Sequence, residues 1–371
     1  MIKFYLIIVS LFVLLNLTNC ADNEKQNIKS DFFGESDQIK YTPRFGRQKP
    51  IIAVVGINSY TELTDFVIPF GILKDSNAGD TYALSTEAGP MKMFPALTIE
   101  TNYTISQFDS INPLGADFVF VPAVHDVENP ALINWITKQH KLGATITGVC
   151  DGVWVLAHAG LLSEKKAVGH WYSFETLEEK FQDTTWLKNK RYHMDGNIIT
   201  TTGVTASIPI SLAIVEAILG TKKAQSLAQS YGLVEWGNSH ESEVFKLSGD
   251  HILTAAKNLI LFWNYEDIGI PIAPNIDEVK LALISDSFSR TYKSNVFAIT
   301  DEKVITKHGL TILPQAGKNK KEEMNRVIQI SPSLNVIETL DDSLKQIQTF
   351  YGLPTAKFVS LQIEYLKFMK L

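Results

Sequence analysis

Between Pro50 and Gly220 short, β-branched apolar runs alternate with longer segments whose apolar residues recur at helical spacing. That alternation leaves few folds open. A strand, a crossing helix and another strand, repeated, build a mostly parallel sheet covered by helices on both faces. "PIIAVVGI" (50–57) and "ADFVFVPAV" (116–124) are apolar throughout, as strands buried on both faces must be. "ELTDFVIPFGILKDS" (62–76) reads as a helix, and "TYALSTEAG" and "ALTIETNYTI" read as strands. "NPALINWITKQHKLG" (129–143) is an amphipathic helix with Asn129 as N-cap, Pro130 at its first position and Gly143 past its end. "ATITGV" and "GNIITTTG" are further strands, and "SIPISLAIVEAILG" (207–220) is an apolar helix closed by glycine. Residues 50–235 are therefore expected to form one α/β domain.

Within this pattern, "TITGVCDGVWVLAHAGLL" (145–162) places a cysteine between two glycines where a strand turns into a helix. A nucleophile on such a turn needs small neighbours, because the backbone there is strained and crowded. Gly148 and Gly152 supply them. The helix that follows points its N-terminus toward the sulfur, which favours thiolate; the negative charge of Asp151 works against it. The plainer alternative is a tight turn with a buried thiol acting as a small hydrophobe.

The first twenty residues are of another kind. Lys3 precedes the continuous apolar run Phe4–Leu17, which is short for a membrane span of about 20 residues and reads as a secretory signal. It ends in Leu17-Thr18-Asn19-Cys20, which resembles a bacterial lipobox with Cys20 as the lipidated residue; an ordinary signal cleaved nearby is the alternative. The expected product is an exported lipoprotein of the cell envelope, with 1–20 as its signal and 21–49 as a polar tether. The chain has only two cysteines, so lipid on Cys20 leaves Cys150 without a partner, a thiol to consider as reactive.

Residues 236–371 form a smaller α/β region. "DHILTAAKNLILFWNY" (250–265) is a helix candidate and "GIPIAPNID" (269–277) a linker. "VKLALIS" (279–285) resembles the strand "PIIAVVG", and "VFAITDEKVITKHGLTIL" (296–313) resembles "YALSTEAGPMKMFPALTI" (82–99) in order and spacing. The region reads as a partial second copy of the domain's opening half, without a cysteine turn.

The composition narrows the function classes. Net charge is −6 and no Lys/Arg stripe occurs, so nucleic acid is not an expected partner. Eight scattered histidines lack ligand spacing and there is no phosphate loop, so no metal or cofactor is expected. Trp154, Trp171 and Trp186 are read as core.

"GVCDGVWVLAHAGLLSEKKAVGHW" resembles the cysteine elbow of the ThiJ/PfpI superfamily, whose fold is that of class I glutamine amidotransferases, a flavodoxin-like sheet. Within it the chain looks most like isonitrile hydratase and the sensor half of AraC-type regulators. "DFVIPFGIL" matches the family's early acidic helix, "ADFVFVPAV" the strand before a Pro-Gly-Gly-like turn, Gly169-His170-Trp171 the Thr-His segment, and "MDGNIITTTGVTASIPISLAIVEAILG" the closing strand and helix. The resemblance implies Cys150 as nucleophile, Asp65 as the carboxyl that shuttles its proton, and His170 as a histidine near the sulfur. Asp151 stands where hydratase-like relatives carry a small hydroxyl residue and protease-like relatives a histidine. It therefore argues against a Cys-His peptidase dyad, and it either positions a substrate donor or strengthens the helix start. Backbone N–H groups of Ala123, Val124, Asp151 and Gly152 would border the substrate, although Ala123-Val124 replace the usual glycines of the oxyanion hole. His125 is read as a surface residue.

The implied function is a membrane-tethered, cysteine-dependent hydratase or hydrolase for a small electrophile: an isonitrile, an activated carbonyl or a 2-oxoaldehyde. The alternatives are a non-catalytic ligand-binding or sensor domain, and a redox or chaperone-like protein with Cys150 as a sensor thiol. Homodimers are common in the superfamily, and a homodimer is the protein partner the resemblance implies.

Overall fold

The strand IIAVVG (Ile51–Gly56, β1) is buried along nearly its whole length, as its unbroken apolar run requires. In the computed structural model, which describes residues 39–370, β1 lies inside a seven-stranded sheet. The expected signal, Cys20 and the start of the tether lie outside the described residues. From residue 39 the chain is not a tether but is docked. Ile39 is buried, the Tyr41 ring lies 5.4 Å from that of Phe118, and Arg47 Nη1 donates to Asp117 Oδ2 at 2.7 Å. Asp117 also accepts from the Ile51 N–H, so one buried carboxylate anchors both the arm and the first strand.

After β1 come β2 (Ser59–Glu62), helix α1 (Leu63–Ser76), β3 (Asp80–Ser85), β4 (Met91–Phe94), β5 (Thr98–Glu100), β6 (Tyr103–Thr104), α2 (Ile105–Ile111), β7 (Phe118–Val121), α3 (Pro130–Lys141), β8 (Thr145–Gly148) and α4 (Gly152–His158). The expected strand over "ALTIETNYTI" is thus split into two short ones that join different sheets. A small parallel pair, β9 (Lys166–Ala167) and β10 (Thr185–Trp186), flanks α5 (Phe174–Lys180). Then follow β11 (Tyr192–Asp195), β12 (Ile198–Thr201), α6 (Ser207–Leu219), α7 (Thr221–Tyr231) and α8 (Gly249–Ile260). The main sheet runs β11-β12-β8-β7-β1-β3-β6, parallel except for β11 against β12. This is a flavodoxin-like α/β fold. Asn129 caps α3 by accepting the Leu132 N–H, with Pro130 in the first turn. The two sides of the sheet carry separate apolar cores, one around Phe66, Phe118 and Ile210 and one around Val119, Trp135 and Leu156.

The C-terminal region differs from its expected layout in two respects. "VKLALIS" is not a strand but lies in helix α9 (Glu278–Ser289), and the strand preceding it is β13 (Glu266–Pro271), which takes in the start of the expected linker. Asp277 starts α9 by accepting the N–H groups of Val279 and Lys280. The helix is buried almost all round, which removes the amphipathic stripe that would have marked it in the sequence. Strands β14 (Ser294–Ile299), β15 (Val304–Ile305), β16 (Thr311–Ile312) and β17 (Arg326–Val327) follow, then helices α10 (Val336–Tyr351), α11 (Leu353–Gln362) and α12 (Leu366–Met369). β13 pairs in parallel with β14 and β17. β15 and β16 extend the small sheet of the first half, in the order β15-β16-β5-β4-β2. α9 packs against α1, which also packs against α6. Among the described residues no helix is long and apolar enough to cross a membrane.

Candidate active site

The turn from β8 into α4 holds Cys150 at φ +53°. For a residue other than glycine this is an uncommon, strained conformation. Its surroundings over-determine it. The Val149 N–H donates to Val121 O at 2.9 Å, the Cys150 N–H donates to Thr201 Oγ1 at 3.1 Å, and the Gly152 N–H donates back to Val149 O at 2.8 Å. Gly152 has no room for a side chain: a Cβ there would stand 2.0 Å from Val121 O. Gly148 is less constrained, with Leu156 Cδ2 at 3.0 Å.

Asp65 sits in the first turn of α1 and is fully buried. Its Oδ2 accepts the Ala123 N–H at 3.3 Å, and its Oδ1 has no partner. Burial first, and then the neighbouring Glu62 carboxylate, hold the Asp65 pKa well above the usual carboxylate range. Both causes favour the protonated form of Asp65. Glu62 caps α1 by accepting the Asp65 N–H at 2.7 Å, and it also accepts the Thr64 hydroxyl. Burial, with Asp286 nearby, lifts Glu62 to about 7 despite the opposing charge of Arg290.

The sulfur is poised differently from the sequence expectation. Cys150 is 7% exposed, and its thiol pKa is pushed well above the ordinary range, by burial first and then by Asp65, Asp151, Glu62 and Glu364. The expected pull of the helix N-terminus does not prevail. α4 has only seven residues, and its partial charge is set against four carboxyl groups. Burial and like charge thus favour the protonated form of both the thiol and the Asp65 carboxyl.

The remaining predicted residues fall around this pair. Asp151 is the N-cap of α4 but makes no capping bond, and its Oδ1 is buried without a partner. Val124 forms a bridge with Thr61, and the Glu62 N–H donates to Ala123 O. The N–H groups of Ala123 and Gly152 are therefore both engaged, on Asp65 and Val149. His170 makes no hydrogen bond to Cys150; its Nε2 is 3.2 Å from Gln362 O and 3.8 Å from Glu364 Oε1. His125 stands apart from these residues, stacked on Tyr60 at 5.0 Å with Phe94 at 4.8 Å, beside an open cleft of about 460 Å³.

Three residues of the site were not identified from the sequence: Glu62, Arg290 and Glu364. Glu62 precedes Asp65 by one helical turn, so an acidic pair at a helix start was its only local signal. Arg290 and Glu364 come from the C-terminal region. Glu364 is buried, has φ +57°, and accepts the Trp171 N–H at 3.2 Å, with His240 Nε2 3.2 Å from its other oxygen. Burial opposes its charge, but His240, His170 and the Gly203 N–H outweigh it and hold Glu364 at about 2. The turn at 361–364 lies against the cysteine-side loops, since Leu361 O accepts Trp171 Nε1–H and Ile363 O accepts the Thr205 N–H.

Over 156 residues the chain is 28% identical to the HTH-type transcriptional regulator CdhR of Pseudomonas aeruginosa, a match covering 41% of this chain and 44% of the regulator. Over 99 residues it is 31% identical to the isonitrile hydratase of Pseudomonas putida, covering 27% of this chain and 42% of the hydratase. The chain thus spans less than half the length of these relatives. Among solved structures, DJ-1beta of Drosophila melanogaster superposes with a TM-score of 0.45 at 19% identity, over 50% of this chain and 99% of that one. The model of the DJ-1/PfpI family matches residues 52–217. The α/β domain that carries Cys150 and Asp65 is therefore a DJ-1/PfpI family domain.

Proposed function

We propose that the chain is a cysteine-dependent hydratase or hydrolase acting on a small electrophile such as an isonitrile, an activated carbonyl or a 2-oxoaldehyde. The observation that carries this reading is a strained Cys150 on a strand-to-helix turn, near enough to a buried Asp65 of raised pKa for that carboxyl to influence the sulfur most after burial itself. A protonated pair needs no preformed thiolate. For a 2-oxoaldehyde, the sulfur adds to the carbonyl carbon while Asp65 gives its proton to the carbonyl oxygen. The S–H proton passes to the carboxylate so formed. The product is a hemithioacetal and Asp65 is again an acid. Transfer of the proton on the former aldehyde carbon to the neighbouring carbonyl carbon, through an enediol, turns it into a 2-hydroxy thioester. Water hydrolyses this to the 2-hydroxy acid and the free Cys150 thiol. The narrow exposure of Cys150 fits a small substrate. In a panel of these three substrate classes, Cys150→Ser is expected to lose on the order of a thousandfold in turnover. Unchanged turnover by product assay would remove the proposal.

A second reading, a ligand-binding domain without catalysis, is favoured by the engagement of the Ala123 and Gly152 N–H groups, which leaves few donors for an oxyanion. It is supported by the likeness to a regulator. Under that reading Cys150→Ser binds the same compounds as the parent, and neither protein turns them over.

We also propose export and anchoring through lipid on Cys20, resting on the apolar leader and the Leu17–Cys20 sequence. Cys20→Ala is expected to move the full-length protein from the membrane fraction to the soluble fraction; equal partitioning of both proteins would exclude the anchor.

A further inference from the structure

The two halves of the chain repeat one arrangement. In the first, β1 pairs in parallel with β3 over six residue pairs, α1 lies between them in sequence, and the hairpin β4–β5 follows. In the second, β13 pairs in parallel with β14 over six residue pairs, α9 lies between them, and the hairpin β15–β16 follows. Like elements meet like. β5 pairs antiparallel with β16 through Ile99↔Ile312 and Glu100↔Thr311. α1 packs on α9, close enough that a Cβ on Gly71 would meet Val279 Cγ2 at 2.5 Å. Even the ends of the two helices reciprocate. Asp75 near the end of α1 reaches His308, which bonds Glu278 at the start of α9. Arg290 at the end of α9 reaches Glu62 at the start of α1. Such like-to-like contact is how two copies related by a two-fold axis meet.

Only one of these reciprocal contacts leads to the cysteine. Arg290 Nη2 donates to Glu62 Oε1 at 2.5 Å and Nε donates to Asp286 Oδ2 at 2.7 Å. Glu62 in turn accepts the Asp65 N–H. On the other side, Gln362 Nε2 donates to Arg290 O at 3.0 Å, and Gln362 O meets His170 Nε2. Arg290 thus ties the Asp65 side of the site to the His170 side.

We propose that residues 266–328 act as a built-in second subunit and that Arg290 is the positioning residue it contributes, holding Glu62 as the anion so that the proton stays on Asp65. Glu62 and Asp65 are neighbouring buried acids, and the charge of Glu62 raises the affinity of Asp65 for its proton. Two such groups share a proton, and a third charge decides which one keeps it. The groups facing the pair are Arg290, Asp286, Asp151 and Cys150; Glu364, with His170, His240 and Arg191 around it, is the next charge outward. Arg290 is the cation that contacts Glu62, and Asp65 takes no hydrogen bond from it.

This rests on the reading of Asp65 as the proton carrier, and its test needs no turnover. The probe is the C=O stretch of protonated carboxyl groups, recorded by infrared difference spectroscopy on the full chain at pH 8. With Arg290 in place, Asp65→Asn is expected to lose one such band and Glu62→Gln to keep it. In an Arg290→Met background the pattern is expected to reverse, and Arg290→Lys, which keeps the charge, is expected to behave as the parent. A band that follows Asp65 in both backgrounds would reduce Arg290 to an ordinary ion pair and overturn the proposal. So would a reversal in Arg290→Lys as complete as in Arg290→Met. Circular dichroism of each variant guards against reading a misfolded protein. Failure of Cys150→Ser to lose turnover, by contrast, would remove the catalytic reading and leave the proton assignment standing.

Discussion

Gly152→Ala is expected to destabilise the protein by about 3 kcal/mol, a large part of a domain's margin. The added carbon would stand 2.0 Å from Val121 O and 2.9 Å from the Pro122 carbonyl carbon. Both are backbone atoms of the strand beside the elbow, so no rotamer change relieves the clash; β7 or the turn itself must shift. Gly148→Ala is the matched control. Its new carbon would meet Leu156 Cδ2 at 3.0 Å, the end of a flexible side chain, and Val153 Cα at 3.3 Å. The expected cost there is about 1 kcal/mol. Urea unfolding of both variants reads the difference, and equal midpoints would show that the elbow is not the rigid element described above.

Asp65→Asn is expected to make Cys150 more reactive, not less. In the parent the thiol is held well above its usual range by burial and then by Asp65. Asparagine fills nearly the same space without the charge that opposes thiolate at high pH. The midpoint of Cys150 alkylation should fall to lower pH, with a rise in alkylation rate at pH 8 of roughly tenfold. Turnover should move the other way, because the amide cannot return a proton to substrate. Opposite changes in alkylation and turnover separate a proton carrier from a residue that only shapes the pocket. An unmoved midpoint would show that Asp65 does not govern the sulfur.

The parts of this molecule legible in the sequence are those written locally. Helix α3 announces itself through Asn129, Pro130 and its apolar period, and the cysteine turn through Gly148 and Gly152 flanking an apolar strand. Asp65 was found because Pro69 and the apolar residues around it match a family segment. What escaped was set by distant partners. Arg47 reads as one more polar residue of an arm until Asp117 is placed beside it. Glu62 and Arg290 lie 228 positions apart and meet only through the packing of α1 on α9. The thiol's high pKa arises from burial first and then from four carboxyl groups in distant parts of the chain, whereas the helix start that argues the other way is visible in seven consecutive residues. "VKLALIS" reads as a strand because burial on nearly all sides erases its helical period.

The sheet β15-β16-β5-β4-β2 also orders events in time. β5, already paired with β4, reaches its second neighbour β16 only after residue 312 has been made, and contacts of such long range form late. Until then a nascent chain presents a bare strand edge, the kind of surface on which chains aggregate. It also presents an elbow without Arg290 or the 361–364 turn. The cysteine acquires its full surroundings only once residue 364 has been made, so a polypeptide terminated before that point carries the nucleophile but not the site.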